Sequence, residues 1–524
     1  MTTYDVIVVG GGSTGAALAS RLSEDPSRSV LLIDAGPFYG SLSEFPEHLA
    51  QASSLAALSP GHPHNWSYIA ELTPEWNFPV LRGKVVGGSS AINGGYFIRG
   101  RRADFDEWAR AGNDQWSYEA VLPSFIRSET DLDFPESDVH GSAGPMRIRR
   151  PGVDEFGAAT RAFLAACRAA GYPEDPDKNA DNGIGVGTVP RNIVDGIRWN
   201  TALGYLAGAR ERPNLTILGE SLVQRVLVDG KQAVGVEVCR GGDRETWLGE
   251  EVVLSAGGIE SPHLLLLSGI GPADELRALD IPVVEDLPVG RGIQDHPSVA
   301  LHYRTKGAAG TERDLVPVQM GLTYTAEGST FAEDMQIGGA GGSFRGRKRG
   351  SGTKAAASAP FEMEQAHEPD DRVLLCSLNR EHSRGRLTLV SADPHVAPRI
   401  ELNYLSAGDD RERLRNGVRL AAGLLDSGEF RRIGVQRVSP CPPETDDASL
   451  DAWIDDNLST GFHTSSGARM GAPSDPDAVV DQQGRVHGVA GLRVLDLSLC
   501  PSVVSRGTHA TAVMIGERAS EFFP

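Results

Sequence analysis

The stretch GFHTSSGARMG, residues 461–471, sets one histidine, His463, among glycines, hydroxyls and a methionine, with no metal-ligating partner close by in the sequence. An imidazole titrates near neutrality, so such a residue can take up and release a proton at working pH. Proton transfer needs a reactant held against the ring. The holder has to be sought elsewhere in the chain.

A holder is legible in YDVIVVGGGSTGAALASRLSEDPSRSVLLIDAGP, residues 4–37. A continuous apolar run over 6–9 leads into Gly10-x-Gly12-x-x-Gly15 and a small-residue amphipathic stretch, and a second apolar run over 30–33 ends in Asp34. Continuous apolar strands predict a parallel sheet covered on both faces, and this glycine spacing predicts the first turn of a dinucleotide-binding unit. Gly10 permits the tight turn, and Gly12 lets backbone N–H groups at the start of a helix, with Ser13 and Thr14 in its first turn, approach a pyrophosphate. Gly15 lets helix and strand pack closely, and Asp34 is placed to accept hydrogen bonds from an adenosine ribose. The same residues also match G-x-S-x-G, with Ser13 as a hydrolase nucleophile. Such an elbow leaves the acid after the second strand unexplained and puts a triad serine ahead of the scaffold that must orient it. The turn leaves NAD and FAD both open.

A second glycine-rich stretch, GKVVGGSSAINGGYFIRGRRADFDEW over 83–108, sets Gly87, Gly88, Ser89 and Ser90 ahead of Asn93 and Gly94. Backbone N–H groups and hydroxyls so arranged suit an anion or a flat, polar-edged ring, and glycine permits close approach. From 83 to 106 the stretch resembles the first signature of the glucose-methanol-choline (GMC) oxidoreductase family, and GGIESPHLLLLSGIG, 257–271, resembles the second. Gly258 departs from it, standing where a small Ala, Ser, Thr or Pro is usual. The resemblance implies FAD, held non-covalently because Ile92 stands where some members carry a flavin-linking histidine.

The histidine stretch resembles the family's C-terminal pattern. The resemblance makes His463 the base that takes an alcohol's hydroxyl proton while the carbon-bound hydride passes to flavin N5. SRGTHATAVMIGERAS resembles the segment of its partner and gives His509 the task of hydrogen-bonding the developing alkoxide; the two roles can be shared or exchanged. It also implies that Gly87, Gly88, Ser89, Ser90, Asn93 and Gly94 lie along the flavin and its pyrophosphate, that the Val223 backbone meets adenine, and that Asp496 lies near the ribityl and phosphate end. On the residues alone, Val223 is an ordinary strand residue and Asp496 a turn-capping acid. Four further segments, INGGYFIRG, SETDLDF, HGSAGPMRIRR and VPRNIVDGIR, look like the branch associated with mycofactocin, a peptide-derived redox cofactor. That implies a dehydrogenase re-oxidising reduced mycofactocin for a respiratory acceptor. An alcohol oxidase using dioxygen and a non-catalytic flavin-binding module are the alternatives.

The elements that must position these residues follow from pattern. An α/β chain is expected, with a parallel-sheet FAD-binding domain over 1–300, a substrate-binding domain on an antiparallel sheet with helices over 301–455, and a return to the first domain over 456–524. Alternation in LHYRT, MQIGG and RGRLTLV predicts the second sheet, RERLRNGVRLAAGLLDSG a helix, and Asp229-Gly230 the turn of a hairpin. The return is required if His463 and His509 are to face a cofactor held by N-terminal residues. Trp66, Tyr68, Trp76 and Phe78 are expected in a lid, an interface or a substrate entrance, and His62 and His64 as loop residues, with no metal site expected.

Composition bounds the rest. The 524 residues are enough for two joined units, and 50 Lys+Arg against 70 Asp+Glu give a net charge of -20, which argues against nucleic acid as a partner. Five dispersed cysteines without a C-x-x-C pair fit a reducing compartment. A non-basic start and the lack of any run near ~20 apolar residues predict a cytoplasmic protein. A glycine-rich segment carrying Arg345, Arg347, Lys348, Arg349 and Lys354 reads as a mobile, solvated loop, or as a patch for an anionic partner or peripheral contact with a membrane surface.

Overall fold

The computed structural model describes residues 3–305, 319–340, 342–344, 347–348, 363–365, 371–438 and 446–523. The apolar run after Tyr4 forms strand Thr3–Val9, buried where it is apolar, and pairs in parallel with Val30–Ile33 on one side and Asp243–Leu254 on the other. Leu215–Leu218 adds a fourth parallel strand beyond Val30–Ile33. The hairpin Ser221–Asp229 and Gln232–Arg240, turning at Gly230 with φ 59°, extends the other edge antiparallel. Leu492–Val494 then returns from the far end of the sequence to pair in parallel with residues 252–254.

The register decides where a ligand can sit. Ile33, Val9, Leu254 and Val494 fall in one row across the sheet. The residues that follow them, Asp34, Gly10, Ser255 and Leu495, therefore all emerge at the carboxyl edge, where open parallel sheets bind ligands.

A second sheet is antiparallel and runs Val435–Arg437, Pro297–Thr305, Asp371–Leu378, Met335–Ala340, Met320–Tyr324, Gly185–Thr188, with Leu458–Thr460 also paired to Pro297–Thr305. Helix Gly408–Leu425 packs on it; its buried Gly417 leaves no room for a Cβ, which would come 2.5 Å from Cys376 Sγ. This sheet takes one strand from before residue 300 and one from after 455, and residue 300 itself falls inside a strand. The expected strand RGRLTLV is not part of it. Gly385–Thr388 belongs instead to a third sheet with Arg291–Ile293, Arg399–Glu401, Tyr68–Thr73, Trp76–Val80 and Arg347–Lys348. Alternation identified a strand, but pairing depends on residues far away in sequence.

Of the basic segment, only the backbone of Arg347–Lys348 is described, as a two-residue strand; Arg345, Arg349 and Lys354 lie outside the described residues, as does Cys441. The four described cysteines are unpaired, and among the described residues no helix is long and apolar enough to cross a membrane.

Candidate active site

A cavity of about 340 Å³ opens at the carboxyl edge of the parallel sheet, within the usual range for small-molecule sites. Gly10, Gly12, Ser13, Thr14, Asp34, Gly88, Ser89, Ser90, Asn93, Gly94, Val223, Asp496, His463 and His509 all line it. Gly15 and Gly87 do not. A Cβ on Gly15 would come 1.9 Å from the Gly10 carbonyl oxygen, so that glycine serves the packing of helix on strand. Gly87, at φ 103°, donates its N–H to the Gly11 carbonyl at 2.7 Å and so locks the second glycine loop onto the first. Gly88 completes the lock, since a Cβ there would meet Gly12 Cα at 2.7 Å.

Helix Ser13–Leu22 begins after Gly12 with no side-chain cap, so the N–H groups of its first turn point toward the cavity unmatched by side-chain oxygens. Positive φ in this turn belongs to Gly10, at 99°, and not to Ser13. A nucleophile elbow concentrates its strain at the serine, so the hydrolase alternative is dropped. Asp34 accepts from the Gly11 N–H at 2.8 Å and the Gly36 N–H at 2.7 Å, and burial pushes its carboxyl up to about 6 against those bonds. It shapes the turn as well as facing the cavity. Asp496 is likewise committed, accepting from Gly257 N–H, Ser261 Oγ, Ser498 N–H and Ser498 Oγ at 2.5–2.8 Å. It is the turn-capping acid its sequence suggested, and it fastens the second signature to the C-terminal return.

The two histidines arrive from different elements. His509 is the first residue of helix His509–Ala519, which lies tightly on helix Ser13–Leu22: Thr14 Oγ1 donates to the Ala512 carbonyl at 2.7 Å, and a Cβ on Gly516 would reach the Thr14 carbonyl at 2.5 Å. The His509 ring meets the edge of Phe97, its Nδ1 is 3.4 Å from Asn93 Nδ2, and its Nε2 is buried with no hydrogen-bond partner. Burial drives its pKa down to about 4, against a backbone hydrogen bond at Tyr96.

His463 follows strand Leu458–Thr460, and His296 precedes strand Pro297–Thr305. Because Pro297 pairs with Thr460, the two imidazoles meet where the ladder ends. Their Nδ1 atoms are 2.8 Å apart with the rings edge to face, and His296 Nε2 is 3.0 Å from the Val504 carbonyl oxygen. Asp295 fixes both loops: Oδ1 accepts from the backbone N–H of His296 and of His463 at 2.7 Å, and Oδ2 accepts from Thr460 and Thr464 Oγ1 at 2.8 and 3.0 Å.

Tautomers follow from these partners. A carbonyl oxygen only accepts, so His296 Nε2 carries a proton. Burial holds the His296 pKa down at about 4, so the ring is neutral and its Nδ1 is a lone pair. His463 Nδ1 must then donate, which leaves the lone pair of His463 on Nε2, in a ring that lines the cavity. Burial, His296 and the Arg82 guanidinium all push the His463 pKa well below the usual imidazole value. The ring is a neutral hydrogen-bond acceptor throughout the neutral range.

Sequence reasoning missed Asp295, His296 and Arg82. The first two stand together in GIQDHPSV, at the crossing into the second sheet, and an Asp-His pair there was the available signal. Arg82 donates to Thr464 Oγ1 at 2.8 Å, beside His463. Trp66 and Tyr68 stack and line the cavity, with Tyr68 OH donating to Glu260 at 2.5 Å, whereas Trp76 donates to the Leu458 carbonyl and Phe78 packs on Phe462. Gly258, the departure from the signature, is held against the His463 loop: a Cβ there would come 2.2 Å from the Thr464 carbonyl oxygen.

Comparison with known proteins places this architecture. Residues 4–298 and 381–516 match the N-terminal and C-terminal family models described as GMC oxidoreductase. An uncharacterized GMC-type oxidoreductase from the thcA 5′ region of Rhodococcus erythropolis is 38% identical, with 98% of this chain and 97% of that protein covered. An oxygen-dependent choline dehydrogenase from Serratia proteamaculans is 36% identical over 99% of this chain and 95% of its own. The crystal structure of a pyridoxine 4-oxidase from Mesorbium loti superposes with a TM-score of 0.89 at 30% identity, covering 99% of both chains.

Proposed function

This chain belongs to the GMC oxidoreductase family of FAD-dependent enzymes, and from that premise we propose that it oxidises an alcohol with His463 as the base. The cavity suits FAD on its own chemistry. The uncapped helix start after Gly12 offers backbone N–H groups to a pyrophosphate. Gly257, whose Cβ would meet nothing within 4 Å, leaves open space on the cavity wall. The partnerless Nε2 of buried His509 asks for a polar group from outside the chain. Ser13, Thr14, Gly88 and Ser89 would hold the phosphates, Asp34 and the Val223 backbone the adenosine end, and Ser90, Asn93 and Gly94 the flavin. Ile92 offers only hydrocarbon, so the attachment is non-covalent.

When bound, FAD supplies the acceptor for the hydride leaving the alcohol carbon. The chain does the rest. His463 Nε2 accepts the hydroxyl proton, and His296 and Asp295 hold that ring in the tautomer that can do so. His509 Nε2 is available to hydrogen-bond the substrate oxygen as charge develops there. The hydrogen-bonded run from the Val504 carbonyl through His296 to His463 carries this reading, because it leaves a base and not a donor at the cavity. Relatives named as a choline dehydrogenase and a pyridoxine oxidase support an alcohol as the donor.

Within that class the finer reading is a dehydrogenase that re-oxidises reduced mycofactocin for a respiratory acceptor in the cytoplasm, supported by the four branch-like segments. An oxidase using dioxygen is the second reading, favoured by the oxygen-dependent relative. Anaerobic bleaching of the yellow protein by reduced mycofactocin and by a panel of alcohols, followed by air, separates them. Reduced mycofactocin should bleach it and air should restore colour slowly; rapid restoration makes it an oxidase, and no bleaching by any donor leaves only a flavin-binding module. His463→Ala should keep the pigment and slow bleaching by at least ~100-fold, the lower bound for loss of a general base. Near-normal bleaching in that variant removes His463 from the role.

A further inference from the structure

His62 and His64, a loop pair by sequence, are joined in space by His48. The three come from helix Glu47–Ala50 and the loop that leads to strand Tyr68–Thr73, and their ligand-capable nitrogens all lie within 4.8 Å of one another. His48 Nε2 and His64 Nδ1 are 3.4 Å apart. Two nitrogens bound to one tetrahedral Zn²⁺ at about 2.0–2.1 Å are separated by about 3.3–3.4 Å, so this pair already spans one edge of such a site.

Further contacts set the nitrogen that His64 offers and the state of the His62 ring. His64 Nε2 lies 3.0 Å from Tyr39 OH, which occupies that nitrogen and leaves Nδ1 for a ligand. The His64 backbone N–H donates to His62 Nδ1 at 3.2 Å, so the His62 ring carries its proton on Nε2 and gives up this bond when it ligates. Among the described residues the other cluster of candidate ligands, Glu129, Asp131 and His140, is different. Arg99 and Arg150 already pair with its carboxylates at 2.6 and 2.7 Å.

We propose that His48 Nε2, His64 Nδ1 and a ring nitrogen of His62 form a binding site for one divalent transition-metal ion of the zinc class, with Tyr39 holding the His64 ring through its other nitrogen. Three imidazoles suit Zn²⁺, Ni²⁺ and Cu²⁺ and leave one position for water. The ion would tie helix Glu47–Ala50 to the wall of the cavity. The His64 carbonyl accepts from the Lys84 N–H at 2.9 Å, and Trp66, two residues on, lines the cavity and donates its N–H to the Arg82 carbonyl at 2.9 Å. Metal binding would therefore stiffen the segment that flanks the signature loop without supplying any reacting group.

The test uses the full-length protein carrying its flavin, stripped with a chelator and titrated with Co²⁺ and, in competition with a chromophoric chelator, with Zn²⁺. One equivalent of Co²⁺ should give the red-end absorption of a four-coordinate ion, clear of the flavin bands. His48→Gln and His62→Gln should each weaken Zn²⁺ binding at least ~10-fold, and Tyr39→Phe by about 10–100-fold, as for other residues that hydrogen-bond a ligating histidine. His463→Gln should bind the metal like wild type, which separates this site from the cavity imidazoles. Retained flavin shows that a variant is folded, and because His62 is at a partly exposed loop position its substitution is the one least able to disturb folding. No four-coordinate band in wild type, or equal Zn²⁺ affinity in wild type and His62→Gln, overturns the proposal.

Discussion

Replacing His296 tests whether the tautomer of His463 is set from behind. Glutamine and asparagine divide the imidazole's two functions. A glutamine amide reaches the position of Nε2 and can still donate to the Val504 carbonyl, but it offers no acceptor at the Nδ1 position. An asparagine carbonyl falls near Nδ1 and can still accept from His463, but it releases Val504. Without the acceptor, a buried His463 Nδ1–H loses its partner at a cost of about 1–3 kcal/mol, which the ring escapes by moving its proton to Nε2. It then presents a donor to the cavity where a base is required. A shift of about 1.4 kcal/mol in that balance is tenfold in the fraction of competent enzyme. His296→Gln should therefore lower kcat about tenfold with KM little changed, and His296→Asn should stay within about threefold of wild type, since it keeps a bond worth about 0.5–1.5 kcal/mol. Anaerobic stopped-flow bleaching with the best donor gives the rates, and absorbance at constant protein gives the flavin content. If the two variants turn over equally with full flavin, or if His296→Gln matches wild type, the tautomer argument is wrong.

Two further outcomes follow from the same geometry. Gly258→Ala should lower kcat well before it lowers flavin content, because its methyl would meet the Thr464 carbonyl at 2.2 Å and push the residue next to His463; equal loss of both measured on one preparation would point to general misfolding instead. Stability should fall on acidification: His296 and His509 are neutral in the fold, with pKa values held down at about 4, whereas the unfolded chain takes up protons below about 6.5. Each ring therefore gives its full stability above 6.5 and loses about 2 kcal/mol between pH 7.5 and 5, offset in part by Asp34, whose raised pKa of about 6 acts with the opposite sign and returns about 1 kcal/mol. Urea midpoints at the two pH values check this, and His509→Asn should flatten the dependence.

The N-terminal unit was legible because its signals are local. A turn that needs Gly10 at positive φ, a helix that needs Gly15 close to a strand and an apolar run that needs cover on both faces all write themselves into a few consecutive residues. His463 and His509 were legible only through resemblance, since nothing in their immediate sequence separates them from the other histidines. His296 and Asp295 are not legible in this way, because their placement depends on Pro297 pairing with Thr460, more than a hundred residues away. The alternation in RGRLTLV yields the strand Gly385–Thr388 but not its sheet, for the same reason: alternation gives a strand its faces but not its partner.

What the sequence determined by itself was therefore the set of parts: a parallel-sheet nucleotide turn, a second glycine loop, an acidic chain without a membrane-length apolar run, and two histidines awaiting a partner. Only the tertiary structure decided which nitrogen of His463 keeps its lone pair, why Gly258 is a glycine here, and that His48 completes a trio with His62 and His64. Those outcomes turn on single hydrogen bonds and on ångström-scale gaps between residues far apart in the chain, and such distances exist only once the backbone has folded.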